Sequence, residues 1–139
     1  MDEIKLIRLK EYSDSDGKLT AINDISELPF IPKRIFIIHD LNSSSIRGEH
    51  ASSSSEFVIV LLKGRACIEL FFSNEKKEIV LDKSSQALFI PVMTWMKLYD
   101  FTDDSIVMVL ASKEYNKDDY IEDFDEYLRE VKARFNGSN

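Results

Sequence analysis

Through the first 115 residues, short runs rich in Ile, Val, Phe and Leu recur every eight to twelve residues with turn-forming residues between them, the spacing of an all-β sandwich or barrel. The runs at 4–9, 19–22, 34–39, 57–62, 66–72, 78–81, 87–90, 95–98 and 106–111 are the predicted strands. Their breaks have a chemical cause: Asp16-Gly17, Lys63-Gly64 and Ser73-Asn74 are pairs that suit tight hairpin turns. After residue 115 the period changes. Tyr120, Ile121, Phe124, Tyr127, Leu128, Val131 and Phe135 follow spacings of three and four, which predicts one amphipathic helix capped by Asn116 or Asp118. Acidic residues crowd its first turns, and Lys132 and Arg134 precede Gly137 at its end, the order the helix dipole favours. Such a helix covers one side of a sheet. Two serine clusters, 43–45 and 52–55, flank the segment 46–51 and mark this region as a solvated loop at a barrel mouth.

Composition bounds this picture. With 139 residues, 44% of them hydrophobic and 11% aromatic, the chain has the material for a packed core and reads as a single domain over 1–139. Eighteen basic residues against 25 acidic ones give a net charge of −7, which opposes bulk attraction to nucleic acid or an anionic membrane surface. A bound phosphate would therefore need a local basic cluster. Cys67 is the single cysteine and has no internal disulfide partner. The longest apolar run, 57–62, falls far short of the ~20 residues that span a bilayer. Charges interrupt the N-terminal stretch MDEIKLIRLK, where a signal peptide needs an apolar run. The expected location is the cytoplasm.

Candidate chemistry is sparse. The two histidines, His39 and His50, carry the side chains that titrate near neutrality. His39 ends an apolar strand and shares one face with Ile35 and Ile37, so it faces either a core or a pocket. His50 follows Arg47-Gly48, and a fixed cation, a flexible glycine and an imidazole together suit an anionic substrate with an abstractable proton. Metal-binding cupins use His-x-His, a Glu a few residues on, and a later His; those positions here are His50, Ser52, Glu56 and Met96. Hydroxyl and thioether are poor substitutes for imidazole on a first-row divalent ion, so no metal and no cofactor are expected. Cys67, mid-strand and without a nearby histidine, reads as an inert buried thiol. Trp95 is either core or an aromatic that stacks on a flat base at the barrel mouth.

Several segments match a known family in order and spacing: Asp16-Gly17-Lys18-Leu19, Leu28-Pro29-Phe30, Lys33-Arg34-Ile35-Phe36, and Arg47-Gly48-Glu49-His50-Ala51. Further along come Trp95 before Asp100-Phe101, Val109-Leu110-Ala111-Ser112, Tyr115 and Asp119-Tyr120-Ile121. In these the chain resembles the nucleotide-sugar 3,4-ketoisomerases of the cupin superfamily, which act on dTDP-4-keto-6-deoxyglucose. The resemblance implies an all-β, cupin-type antiparallel jelly-roll barrel with one C-terminal α-helix, a homodimer, and a dTDP-keto-sugar ligand bound without metal. It implies a shift of the keto group from C4 to C3 through an enediol, in the biosynthesis of a 3-amino-3,6-dideoxy sugar for surface glycans such as lipopolysaccharide. His50 matches the family's first histidine and is the expected base. Arg47 and Arg34 are the expected anion-binding residues, with Ser52, Asp16, Met96 and Trp95 at other substrate-binding positions.

The chain departs from the family pattern at three polar positions. It has Ser52 in place of the second histidine, Ile37 in place of a tyrosine, and Met96 in place of a His or Arg. Since Ile37 and His39 lie on one face of a strand, His39 is expected to enter the pocket and act with His50. The alternative to an isomerase is a catalytically altered cupin that binds the nucleotide sugar without turning it over.

Overall fold

The structure is a computed structural model that describes residues 3–23 and 28–136. Two five-stranded antiparallel sheets face each other in a jelly roll. The first contains β1 (Lys5–Arg8), β4 (Arg34–Ile38), β6 (Phe57–Lys63), β9 (Gln86–Ile90) and β11 (Ile106–Ala111), in the order β1-β9-β6-β11-β4. The second contains β5 (Arg47–Ser52), β7 (Ala66–Phe72), β8 (Glu75–Leu81), β10 (Trp95–Tyr99) and β12 (Tyr120–Ile121), in the order β12-β5-β10-β7-β8. Two further strands, β2 (Lys10–Asp14) and β3 (Gly17–Ala21), form a hairpin of their own that joins neither large sheet. Among the described residues, no helix is long and apolar enough to cross a membrane.

Alternation along the strands explains where the core lies. Phe57, Ile59 and Leu61 of β6 meet Ile68 and Leu70 of β7, Leu88 and Ile90 of β9, Met96 and Leu98 of β10, and Val107 and Val109 of β11 between the sheets. The residues between them in β6, Val58 and Val60, pack on the outer face against Leu9, Leu28, Phe30 and Phe89. β6 is thus buried on both faces, which is why it reads as an unbroken apolar run. On the outer face of the second sheet lies α1 (Phe124–Asn136), which places Tyr127 and Val131 on Ala51, Met93, Ile121, Phe71 and Trp95.

The helix starts later than the sequence pattern predicts. Asn116 accepts a hydrogen bond from the Asp118 N–H and caps a single 3-10 turn, while Asp123 Oδ1 accepts from the N–H groups of Asp125 and Glu126 and caps α1. β12 lies between the two, so Tyr120 and Ile121 belong to a sheet and not to the helix. Gly137, the expected helix stop, and the side chain of Phe135 lie outside the described residues. The segment 46–51, expected as loop, is mostly strand: β5 pairs with β10 on one side and β12 on the other.

Tyr127 anchors the helix. It is fully buried, and its hydroxyl proton is shared between the carbonyl oxygens of Met93 at 2.7 Å and Phe71 at 2.9 Å. Burial pushes its phenol up to about 12, so the donor form persists across the working pH range. Tyr127→Phe is expected to cost about 1–3 kcal/mol, because it leaves buried carbonyls without their donor. Urea unfolding with an unchanged m-value checks it.

Candidate active site

β4 is an edge strand of the first sheet, and β12, with β5 beside it, is an edge of the second. Alternation turns Arg34, Phe36 and Ile38 of β4 toward the interior and Ile35 and Ile37 outward, where both are exposed. Arg34 Nη1 donates to the Tyr120 hydroxyl oxygen at 3.0 Å and so joins the two edges. The guanidinium also sits over the Phe36 ring at 4.3 Å and the Tyr115 ring at 4.8 Å.

A bulge in β5 sets the position of His50. Arg47 pairs with Leu98, Gly48 with Lys97 and His50 with Met96, so Glu49 has no partner in the ladder. Both bulge residues have left-handed backbone, Gly48 with φ 86° and Glu49 with φ 60°. In a regular strand, residues three apart face opposite sides. The extra residue cancels that offset, and Arg47 and His50 fall on the same side as the inward residues Leu98 and Met96.

His50 is partly buried, with its ring edge-on to the Tyr120 ring at 4.9 Å and an interplanar angle of 85°. Its Nδ1 is enclosed and has no hydrogen-bond partner in any other described residue. Burial holds its pKa below the ordinary imidazole value; the Glu122 carboxylate and His50's own backbone oppose this, and the Arg34 and Arg47 cations reinforce it. Near neutral pH the ring is therefore uncharged, within electrostatic reach of two arginine cations. That combination suits removing a proton beside a carbonyl and holding the anion that forms.

The protonation balance gives a direct expectation. In an NMR titration His50 should gain its proton below about pH 6.5, Glu122→Gln should lower that midpoint further, and Arg47→Gln should raise it. Because the unfolded chain takes this proton first, His50 favours folding less as pH falls below the unfolded value. A midpoint unmoved by either substitution would contradict the electrostatic account.

The other expected site residues are dispersed. His39 is corrected: it follows β4 on the outward face of Ile35 and Ile37, its side chain is 60% exposed, and its Nδ1 lies 3.0 Å from Asp40 Oδ2. It lines an open groove of about 370 Å³ at the rim with residues 37–41 and 45–47, and does not meet His50 inside the barrel. The shared face with Ile37 was read correctly from strand periodicity, but that face points away from the interior. Trp95 takes the packed setting of the two expected for it. It points out of the barrel under α1, at 5.2 Å from the Phe124 ring and 5.6 Å from that of Tyr127.

Ser52 is buried, and its hydroxyl accepts from the Ser55 N–H at 2.9 Å, which commits it to the turn after β5. Met96 is buried in the interior beside His50. Asp16 occupies the exposed tip of the β2–β3 hairpin. Among the described residues no three of His, Cys, Asp and Glu are grouped to hold a metal ion.

Three aromatic residues and one acid were not expected at the site: Tyr120, Tyr115, Phe36 and Glu122. Their signal in the sequence is weak, because a two-residue strand such as β12 is too short to show a period.

The two facing sheets define a cupin-type barrel, with His50, Arg34 and Tyr120 gathered at its β4, β5 and β12 edge. A family model described as FdtA: WxcM-like, C-terminal matches residues 2–132. A TDP-4-oxo-6-deoxy-alpha-D-glucose-3,4-oxoisomerase from Aneurinibacillus thermoaerophilus is 36% identical over 129 residues, 93% of each chain. The crystal structure of QdtA, a sugar 3,4-ketoisomerase from Thermoanaerobacterium thermosaccharolyticum in complex with TDP, superposes with a TM-score of 0.90 at 35% identity, covering 95% of this chain and 96% of that one. A 3,4-ketoisomerase from Helicobacter canadensis gives 0.90 at 33% identity, covering 95% of this chain and 99% of the other. The chain belongs to the FdtA, WxcM-like family of sugar 3,4-ketoisomerases.

Proposed function

We propose that the protein isomerises a dTDP-4-keto-6-deoxyhexose, dTDP-4-keto-6-deoxyglucose first among them, to the 3-keto sugar, with His50 as the base. The neutral imidazole takes the proton from C3, and the electron pair moves into a C3–C4 enediolate while the C4 carbonyl oxygen gains charge. The C3 hydroxyl proton passes to the C4 oxygen, the imidazolium returns its proton to C4, and the product carries the carbonyl at C3 and a hydroxyl at C4. Nothing is oxidised or reduced overall. Arg34 and Arg47 supply positive charge for the diphosphate or the enediolate oxygens. The observation that carries this reading is an enclosed imidazole nitrogen, Nδ1 of His50, on a ring that burial keeps neutral and that two arginine cations help hold so.

The product is the natural acceptor for an aminotransferase, and the reading extends to a 3-amino-3,6-dideoxy sugar for surface glycans, made in the cytoplasm. A homodimer belongs to the same reading. The β2–β3 hairpin, which joins neither sheet of its own chain and exposes Tyr12 and Leu19, is the segment proposed to pack on a partner.

The test is NMR of dTDP-4-keto-6-deoxyglucose incubated with the protein in deuterated water. A 3-keto product with solvent deuterium on the sugar ring supports the isomerase, and the configuration at C4 identifies the series. A protein that binds dTDP but gives neither product nor exchange would be the binding-only cupin, a reading favoured by the thioether of Met96 beside His50 and by the commitment of Ser52 to its own turn.

A further inference from the structure

We propose that Tyr120 is the positioning residue for His50, holding the imidazole in the one orientation from which it can exchange a proton. The inference rests on the isomerase reading only for its kinetic test. A histidine base is usually oriented through its second ring nitrogen, which donates to a carboxylate or a carbonyl. No other described residue supplies that tether to His50, whose enclosed Nδ1 has its own backbone as the polar group acting on it. Packing must do the orienting, and the aromatic ring in contact with the imidazole is that of Tyr120, edge-on at 4.9 Å.

The Tyr120 ring is itself held at three points. Its backbone pairs with Ser52, two residues beyond His50 on β5, so Tyr120 and His50 share a face. Its hydroxyl oxygen accepts from Arg34 Nη1 at 3.0 Å. Its ring lies 5.7 Å from that of Tyr115, and Tyr115 in turn lies under the same guanidinium. Arg34 therefore acts on the base in two ways, as a nearby cation and through the ring that it pins. Tyr120 supplies a flat surface in fixed register where a hydrogen bond would otherwise be needed.

The chain has only two histidines, so each ring nitrogen can be followed by long-range ¹H–¹⁵N correlation, with His50→Asn giving the assignment and His39 serving as internal control. In the unsubstituted protein we expect one tautomer for His50 and a ring-to-ring NOE to Tyr120. Tyr120→Leu should average the His50 nitrogen shifts, leave His39 unchanged, and lower kcat by about 10²-fold, the scale of an ångström-level misplacement, with a smaller change in KM. Tyr120→Phe keeps the ring and two of its three supports and should recover most of the His50 signals and of kcat. Unaltered His50 shifts in Tyr120→Leu would overturn the proposal. Should that variant not fold, absence of the NOE or of a single tautomer in the unsubstituted protein would overturn it instead. The nitrogen shifts need no substrate. A protein without turnover whose His50 signals still depend on Tyr120 would refute the isomerase and leave this inference standing.

Discussion

His50→Asn should lower kcat for the keto-sugar isomerisation by about 10²–10⁴-fold, the contribution of a well-placed general base, while dTDP still stabilises the protein in a thermal melt. Asparagine approximates the imidazole in size and polarity but cannot take a proton near neutral pH. The cationic side chains of Arg34 and Arg47 remain, so nucleotide affinity is expected to change little. Wash-in of deuterium should fall with turnover, because both depend on the same proton. His39→Asn is the matching control. With its side chain on the outer face against Asp40, it should leave turnover within about threefold, the spread of ordinary surface substitutions. Equal losses from the two substitutions would place both rings at the chemistry and contradict the geometry.

Gly48→Ala should be nearly as damaging, although it alters no reacting group. At φ 86° a side chain is strained, and the added Cβ would stand 2.9 Å from the carbonyl oxygen of Met96. That oxygen belongs to the neighbouring strand and cannot swing aside. The strain costs about 1–2 kcal/mol before the clash is counted. The available relief is to iron out the bulge, which slips β5 by one residue and sends alternate side chains to the other face. Arg47 and His50 would then no longer share one face of the strand. The expected result is a melting temperature several degrees lower and turnover reduced by at least about 10²-fold. Glu49→Asn tests the same bulge in the opposite sense: asparagine tolerates the left-handed backbone that Glu49 already adopts at φ 60°, so both stability and turnover should persist.

Strands that bury a face were legible in the chain because burial writes itself into the sequence. β7 and β11 begin and end where their apolar runs do, and β6, β9 and β10 differ from theirs by a residue or two. β2, β5 and β12 were missed for three different reasons. β2 is exposed along its whole length, so no apolar alternation marks it. β5 contains a glycine and a bulge that break the period of two, and its first three residues are exposed. β12 has two residues.

The same limits governed the site. His50, Arg47 and Arg34 were singled out through an imidazole's chemistry and a family resemblance, whereas the contact of Tyr120 with His50 depends on a pairing between distant segments that no local pattern reveals. His39 shows the converse limit. Periodicity correctly grouped it with Ile37 but could not say which side of the sheet is the inside. Trp95 and Met96 are neighbours on one strand, and only the packed structure tells that the methionine faces His50 while the tryptophan faces α1.

The two residues of β12 point in opposite directions, Tyr120 toward the imidazole and Ile121 into the apolar layer beneath α1. The C-terminal helix is thereby wired to the active centre through a single peptide unit. Fraying of α1 would loosen Ile121, then Tyr120, and so disorient the base while the barrel itself stays intact. Heat or a C-terminal protease should therefore silence this protein before it melts, and its functional lifetime is set by the docking of one helix and not by the cohesion of ten strands.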